Sequence, residues 1–202
     1  FREEFSELLS TLRNLKITKE DIIRSGGNES PIPPKFNEML EPLGWKEIKI
    51  SGDLLIKFYP RRGGLKGRFA EEPADEKRII NYIDGHNIDF VKSRVALDIE
   101  WNSKDQTFDR DLYAFRAFFE YQKVAVGVLV TRSNDLDEYF ASLGRYVDKY
   151  GQERCYKDKY GASTTHMRQL LRRLDAGRSG GCPVLAIGIT QRQRGEPDGQ
   201  GL

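Results

Sequence analysis

At 202 residues the chain is long enough for one compact domain with a sizeable core and too short for two full ones. Hydrophobic residues make up 38% and aromatic residues 11%, which excludes a disordered chain, and no apolar run reaches membrane-spanning length. The formal net charge of +2 neither requires nor forbids a nucleic-acid partner, so the placement of cations matters more than their sum.

In chain order, Phe5, Leu8, Leu9, Leu12 and Leu15 stand at helical spacing and predict an amphipathic helix over residues 3–15. Gly26-Gly27 and prolines 31, 33 and 34 interrupt the pattern, and Phe36, Met39, Leu40 and Leu43 predict a second helix stopped at Gly44. Residues 45–50 and 54–59 read as two strands around a Ser51-Gly52-Asp53 turn. Residues 61–68 are glycine-rich and carry Arg61, Arg62, Lys66 and Arg68, either as a plain mobile linker or as a strap over a DNA backbone. Residues 71–82 read as a helix with Ile79, Ile80 and Ile83 inward.

After a central strand at Val95-Ala96-Leu97, Asp109 is a candidate cap for a helix bearing Leu112, Phe115, Phe118 and Phe119. The continuous apolar run 124–130 predicts a strand covered on both faces. A helix around Leu136–Leu143 follows, with Ser133 and Asn134 as capping candidates; residues 144–161 show no regular pattern. Residues 165–174 predict a helix, 183–189 a last buried strand, and 191–202 a flexible tail. Strands alternating with helices imply an α/β fold with a mixed central sheet flanked by helices. The expected organisation is a single domain over 1–190, its N-terminal helices at 3–43 and its core at about 45–190. Cys155 and Cys182 lie far apart, in no metal-ligand spacing, and read as free thiols of a reducing, cytoplasmic compartment.

The stretch with chemical content is Ile88 to Asp105, IDFVKSRVALDIEWNSKD. Strand alternation puts Asp98, Glu100 and Asn102 on one face, opposite Leu97, Ile99 and Trp101. Two neighbouring carboxylates read either as the wet face of an edge strand or as a pair kept together by a divalent cation, for which hard oxygen donors suit magnesium. An acid, a spacer of eight residues, and then acid-x-acid closing an apolar strand resembles the signature of the PD-(D/E)XK nucleases. More narrowly, DFVKSRVALDIEW looks like the catalytic segment of type II restriction endonucleases of the BglII and BstYI kind. SPIPPKFNEMLEPLGWKE, VAVGVLVTRSNDLDEYFASLG and GGCPVLAIGIT extend the resemblance over roughly residues 30–190.

The resemblance implies a restriction-endonuclease-like fold, magnesium as cofactor, duplex DNA as substrate and a homodimer cutting a short palindrome in host defence. By position it makes Asp89 and Asp98 metal ligands, with the backbone carbonyl of Ile99, and puts Glu100 where the superfamily has lysine. The BglII and BstYI branch has glutamine at that place, and a second carboxylate there resembles BamHI; the general base is left open. A competing register uses Glu100 and Asn102 with Asp89 or Asp84. Residues past the acidic pair, Asn102, Ser103 and Lys104, fall where the family reads bases, as does Ser142. Ser163, Thr164, Thr165, His166 and Arg168, at a helix start, read either as a phosphate-binding cluster or as an ordinary cap. The competing functions are a repair or junction-resolving nuclease of the same fold and a DNA-binding protein without catalysis. A small-molecule enzyme finds no support, since the chain has neither a phosphate loop nor a GxSxG nucleophile.

Overall fold

A computed structural model describes residues 1–24, 30–148 and 150–195, with the side chain of Asp84 outside that description. The glycine pair 26–27, the Asp84 alternative and residues 196–202 therefore lie outside the described parts. The elements are α1 (Arg2–Asn14), α2 (Lys19–Ile23), α3 (Ile32–Leu40), β1 (Lys46–Phe58), β2 (Arg61–Arg62), β3 (Arg68–Phe69), β4 (Asp75–Lys92) and β5 (Val95–Glu100). Then follow α4 (Thr107–Glu120), β6 (Val126–Arg132), α5 (Leu136–Ser142), β7 (Arg145–Val147), β8 (Glu153–Cys155), α6 (Tyr156–Lys159), α7 (Met167–Asp175) and β9 (Val184–Ile189). They fall into two compact units, one of residues 1–47 with 88–202 and one of residues 48–87.

In the larger unit the sheet runs β4-β5-β6-β9. Strand β4 joins β5 antiparallel through Phe90↔Leu97 and Lys92↔Val95, across a tight turn in which Ser93 has φ 55°. Strands β5, β6 and β9 are parallel, their links made by crossovers containing helices, so the sheet is mixed and the fold α/β as expected. One sheet face carries Leu97, Ile99, Trp101, Val128 and Val130 into a core shared with Leu8, Phe36, Leu40 and Phe140. Of the apolar stripes expected on the first two helices, Leu8, Leu15, Phe36 and Leu40 are buried in this core and Leu12 and Met39 pack against it, whereas Phe5 and Leu43 are exposed.

Residues Ala96 and Gly127, opposite one another in β5 and β6, are small for a reason visible in the packing. A Cβ at Gly127 would stand 2.3 Å from the Phe115 ring, so that aromatic of α4 lies directly on the sheet. Helix α4 is thereby pinned close to the face that carries Asp98 and Glu100.

The smaller unit departs most from expectation. Residues 46–58 form one continuous strand, because Gly52 is a packing position under Ile83 and not a turn; a Cβ there would meet Ile83 Cδ1 at 2.8 Å. Residues 75–92 are a strand and not a helix. Ile79 and Ile83 stand four apart, a spacing that shares a face in both periods, and β-branched side chains favour the strand. The expected loop 61–68 is a small hairpin, β2 with β3, closed by a 3-10 turn at Gly64–Lys66.

Elsewhere, Asp109 does not cap α4; Gln106 is the cap and Asp109 sits in the first turn, bonded to Arg173 and Arg178. Helix α5 starts from Asp135, not from Ser133 or Asn134. The unpatterned segment 144–161 holds the β7–β8 hairpin and α6. The expected tail begins with order: Gln191–Gln193 form a 3-10 turn capped by Thr190, and Arg194 bridges Ile17.

Candidate active site

Asp98 and Glu100 are not on a wet face. They are only 3% and 6% exposed, and all six residues of β5 are buried. Described pairing of β4 with β5 ends at Phe90↔Leu97, and at the next position carboxylates replace the ladder. The Asp89 N–H donates to Asp98 Oδ1 at 2.8 Å, and the Ile99 N–H donates to Asp89 Oδ2 at 2.9 Å. Each carboxylate is thus oriented by the backbone of the other strand. The remaining oxygen, Asp98 Oδ2, is buried without a hydrogen-bond partner.

A third buried acid comes from α4. Asp111 is fully buried, and its carboxylate and that of Asp98 offer oxygens within 4.8 Å of one another. Sequence reasoning missed it, although the signal was there: Phe108, Asp111, Leu112 and Phe115 form one stripe at helical spacing, with an acid in an otherwise apolar set. Glu100 accepts from the Thr107 hydroxyl at 2.9 Å and has Arg110 at 3.7 Å, while Arg110 also pairs with Asp111 at 3.1 Å. On its other side the Glu100 carbonyl accepts from the Thr131 hydroxyl at 2.8 Å, locking the strand end.

Crowding of acids in a low-dielectric place favours their neutral forms. Burial, and then the charge of Asp111, pushes Glu100 up to about 8. Burial, followed by Asp111 and Asp89, raises Asp98 well above the usual carboxylate range. Asp89 is raised by burial against the opposing hydrogen bond from Ile99. The one cation beside these acids among the described residues, Arg110, has a mostly exposed side chain. An unsatisfied carboxylate oxygen among excess buried negative charge fits a divalent cation.

The segment leaving β5 is held against the approach to α7. Lys104 bridges Thr164, the Thr165 N–H donates to Ser103 O at 2.8 Å, and the Asp105 N–H donates to Ser163 O at 3.0 Å. The structure therefore brings Ser103 and Lys104 together with Ser163, Thr164 and Thr165, although some sixty residues separate them in sequence. Asn102 has φ 61° and a buried Oδ1 without a hydrogen-bond partner. Lys104, Ser163 and Arg168 face outward, whereas Thr165 and His166 are buried. Ser142 belongs elsewhere, exposed at the end of α5 with its hydroxyl on Tyr139 O.

Arg132, at the end of β6, is a buried cation that the sequence pattern does not mark. It is 1% exposed and donates to the Thr164 hydroxyl at 2.7 Å and to Tyr160 O at 3.0 Å. Beside it Asn134 Nδ2 meets His166 Nδ1 at 3.2 Å and its Oδ1 accepts the Arg168 N–H. Arg132, Asn134, Tyr160, His166 and Arg168 line a cavity of about 330 Å3. Burial, and then the charge of Arg132, lowers the His166 pKa, which favours a neutral ring here.

No curated protein matches the chain. A family model does, described as restriction endonuclease BglII/BglIII and matching residues 1–189. The match runs from α1 through β9 and so includes both units, the strand break with its acids, and the segment paired across Lys104 and Thr164. By the extent of that match the chain belongs to the BglII/BglIII family of restriction endonucleases, type II site-specific deoxyribonucleases that act on DNA.

Proposed function

We propose that this endonuclease hydrolyses phosphodiesters of duplex DNA at a short palindrome, with magnesium, as a homodimer in defence against foreign DNA. The observation that carries the reading is the buried acid cluster where β4 and β5 part, with its unsatisfied Asp98 oxygen. Asp89 and Asp98 would hold the ion, with the Ile99 carbonyl. Backbone N–H and C=O of one strand residue face the same side, and the Ile99 N–H reaches Asp89 on that edge. Asp111 lies close enough to Asp98 to act as a further ligand or to set the charge of the pair. Bound magnesium would acidify a coordinated water and offset negative charge on the phosphate undergoing attack.

Glu100 orients or deprotonates the attacking water. Burial raises the pKa of this carboxylate and makes it a stronger base than an ordinary glutamate. Thr107 fixes its Oε2, and the Thr131 bond to its carbonyl holds its backbone. No enzyme nucleophile is required. Lys104 and Ser163 face outward on a joined pair of segments and supply donors to base edges or phosphates, with Ser103 and Asn102 behind them. A palindrome read by two copies follows from the symmetry of such a target.

The test is digestion of a long phage-type duplex with purified protein, in magnesium and in chelator. Discrete fragments only in magnesium, with sequenced ends sharing one palindrome, are the expected result. A magnesium-independent smear, or intact DNA from protein that binds duplex, would overturn the reading. Sedimentation of the DNA-bound protein tests the dimer separately.

A further inference from the structure

The smaller unit carries a feature that the catalytic site does not use. Its ribbon ends in the hairpin of β2 and β3, where Arg61, Arg62, Lys66 and Arg68 fall within eight residues that contain no acid. Four positive charges there exceed the +2 of the entire chain. Two cations on the body of the ribbon are neutralised locally: Lys57 pairs with Glu76, and Arg78 with Asp53. Among the described residues none of the four at the tip has an acidic partner, and all four are exposed.

The tip is also a built shape. Gly63 and Gly64 have φ 85° and 67°, and a Cβ at Gly67 would overlap the Arg62 carbonyl oxygen at 1.6 Å, so only glycine permits the turn. Arg61 holds the turn closed, donating to Leu65 O at 2.7 Å and lying over the Phe69 ring at 4.9 Å. That leaves Arg62, Lys66 and Arg68 projecting around an apex residue, Leu65, that is 92% exposed. An isolated leucine ringed by unpaired cations suits a groove of a nucleic-acid duplex, where sugars are apolar and phosphates line the rim.

We propose that this hairpin tip is a second, sequence-independent DNA contact, in which Arg62, Lys66 and Arg68 engage backbone phosphates and Leu65 meets the groove wall. The inference rests on the duplex-cutting function proposed above. Every phosphate that a cation neutralises adds about 0.9 to the steepness with which log affinity falls against log salt. The triple variant Arg62→Ala, Lys66→Ala, Arg68→Ala should therefore have a slope shallower by about 2.7, so that between 50 and 200 mM salt its affinity falls ~40-fold less than that of the wild type.

The experiment measures binding of full-length protein to a duplex bearing the cut site, in calcium and checked for intactness, across that salt range. A control variant, Arg13→Ala, Lys19→Ala, Lys123→Ala, removes equal charge from exposed positions elsewhere. A slope shallower by two to three in the tip variant alone, with the same fragments cut in magnesium, supports the proposal. Unchanged slope and affinity in the tip variant, or an equal shift in the control, overturns it while leaving the nuclease reading intact. Wild-type protein that binds no duplex overturns both.

Discussion

Asp98→Asn separates what the carboxylate costs the fold from what it gives the reaction. Asp98 and Asp111 have oxygens within 4.8 Å, and at an effective dielectric near 20 two full charges at that distance repel by roughly 3.5 kcal/mol. The amide keeps the acceptor that Asp89 N–H needs and turns an NH2 toward the acids in place of the unsatisfied Oδ2. Metal-free protein should therefore gain stability from the substitution, by ~2–3 kcal/mol at pH 9. For a chain of this size that is a rise of about 5–10 °C in Tm. Because burial and neighbouring acids raise the Asp98 pKa, the gain should shrink as the pH is lowered to 6. The assay is thermal unfolding in chelator at both pH values, repeated with magnesium. Magnesium should raise the Tm of the wild type and not of the variant, and the variant should not cleave DNA. A variant equal to or less stable than wild type at pH 9 in chelator would refute the reasoning, because the acids would then be balanced within the protein.

The same crowding gives metal-free protein a pH dependence through Glu100. Its pKa is raised in the fold to about 8 from 4.5, so the folded state binds more protons than the unfolded one between those values. That stability is fully present below pH 4.5 and is lost as pH rises through about 8; denaturant titrations in chelator should show the fall, and Glu100→Gln should flatten it. Gly127→Ala should cost ~1–3 kcal/mol by forcing the Phe115 ring off the sheet, and Phe115→Leu should restore part of it. Since Phe115 positions α4, which carries Asp111, urea midpoints and cleavage rate should fall together. Arg132→Met strands the Tyr160 carbonyl and removes the donor to the Thr164 hydroxyl, which keeps its bond to the Gly161 carbonyl, at a cost on the order of 1–3 kcal/mol. It should relax discrimination between the cut site and one-base variants more than it slows cleavage, as read from the ratio of the two rates.

The sequence was most legible where burial and period agree. Continuous apolar runs marked β6 and β9, although β9 is only partly buried; the Leu8-Leu12 stripe marked α1 within a residue at each end, the Phe36-Leu40 stripe marked α3, which starts earlier at Ile32 and ends at Leu40, and the short α2 went unmarked. It misled in the smaller unit, where Ile79 and Ile83 satisfy either period and Gly52 packs under Ile83 instead of turning the chain. Local pattern has no means to tell a turn glycine from a packing one. At the site, the acids of β4 and β5 lay close in sequence and carried a recognisable spacing. Asp111 and Arg132 come from a helix and a strand end, and only tertiary packing reveals why a buried helix face tolerates an acid and a buried strand end an arginine. The polar cluster at 163–166 divided likewise: Ser163 stays outward, while Thr165 and His166 turn in and Thr164 answers Arg132.

That division would tie the proposed recognition to the proposed chemistry through one short piece of chain. Residues 98–100 carry the acids, and residues 103–105, only three further on, form the backbone bonds to 163–165. Between them Trp101 is buried in the core and Asn102 takes a positive φ, a corner that redirects the chain from the sheet to the outward-facing Lys104. A displacement of Lys104 or Ser163 by a non-matching base pair has few soft joints in which to dissipate. Glu100 is held at its carbonyl by Thr131, and its carboxylate lies 2.9 Å from the Thr107 hydroxyl, whose single proton is shared between it and the Lys104 carbonyl at 2.8 Å. The hydroxyl of Thr107 therefore touches both the proposed base and the backbone of the proposed reading residue. Through that contact a poor fit at Lys104 would reach the orientation of Glu100, so that the penalty for a wrong sequence falls on the rate of hydrolysis as well as on binding.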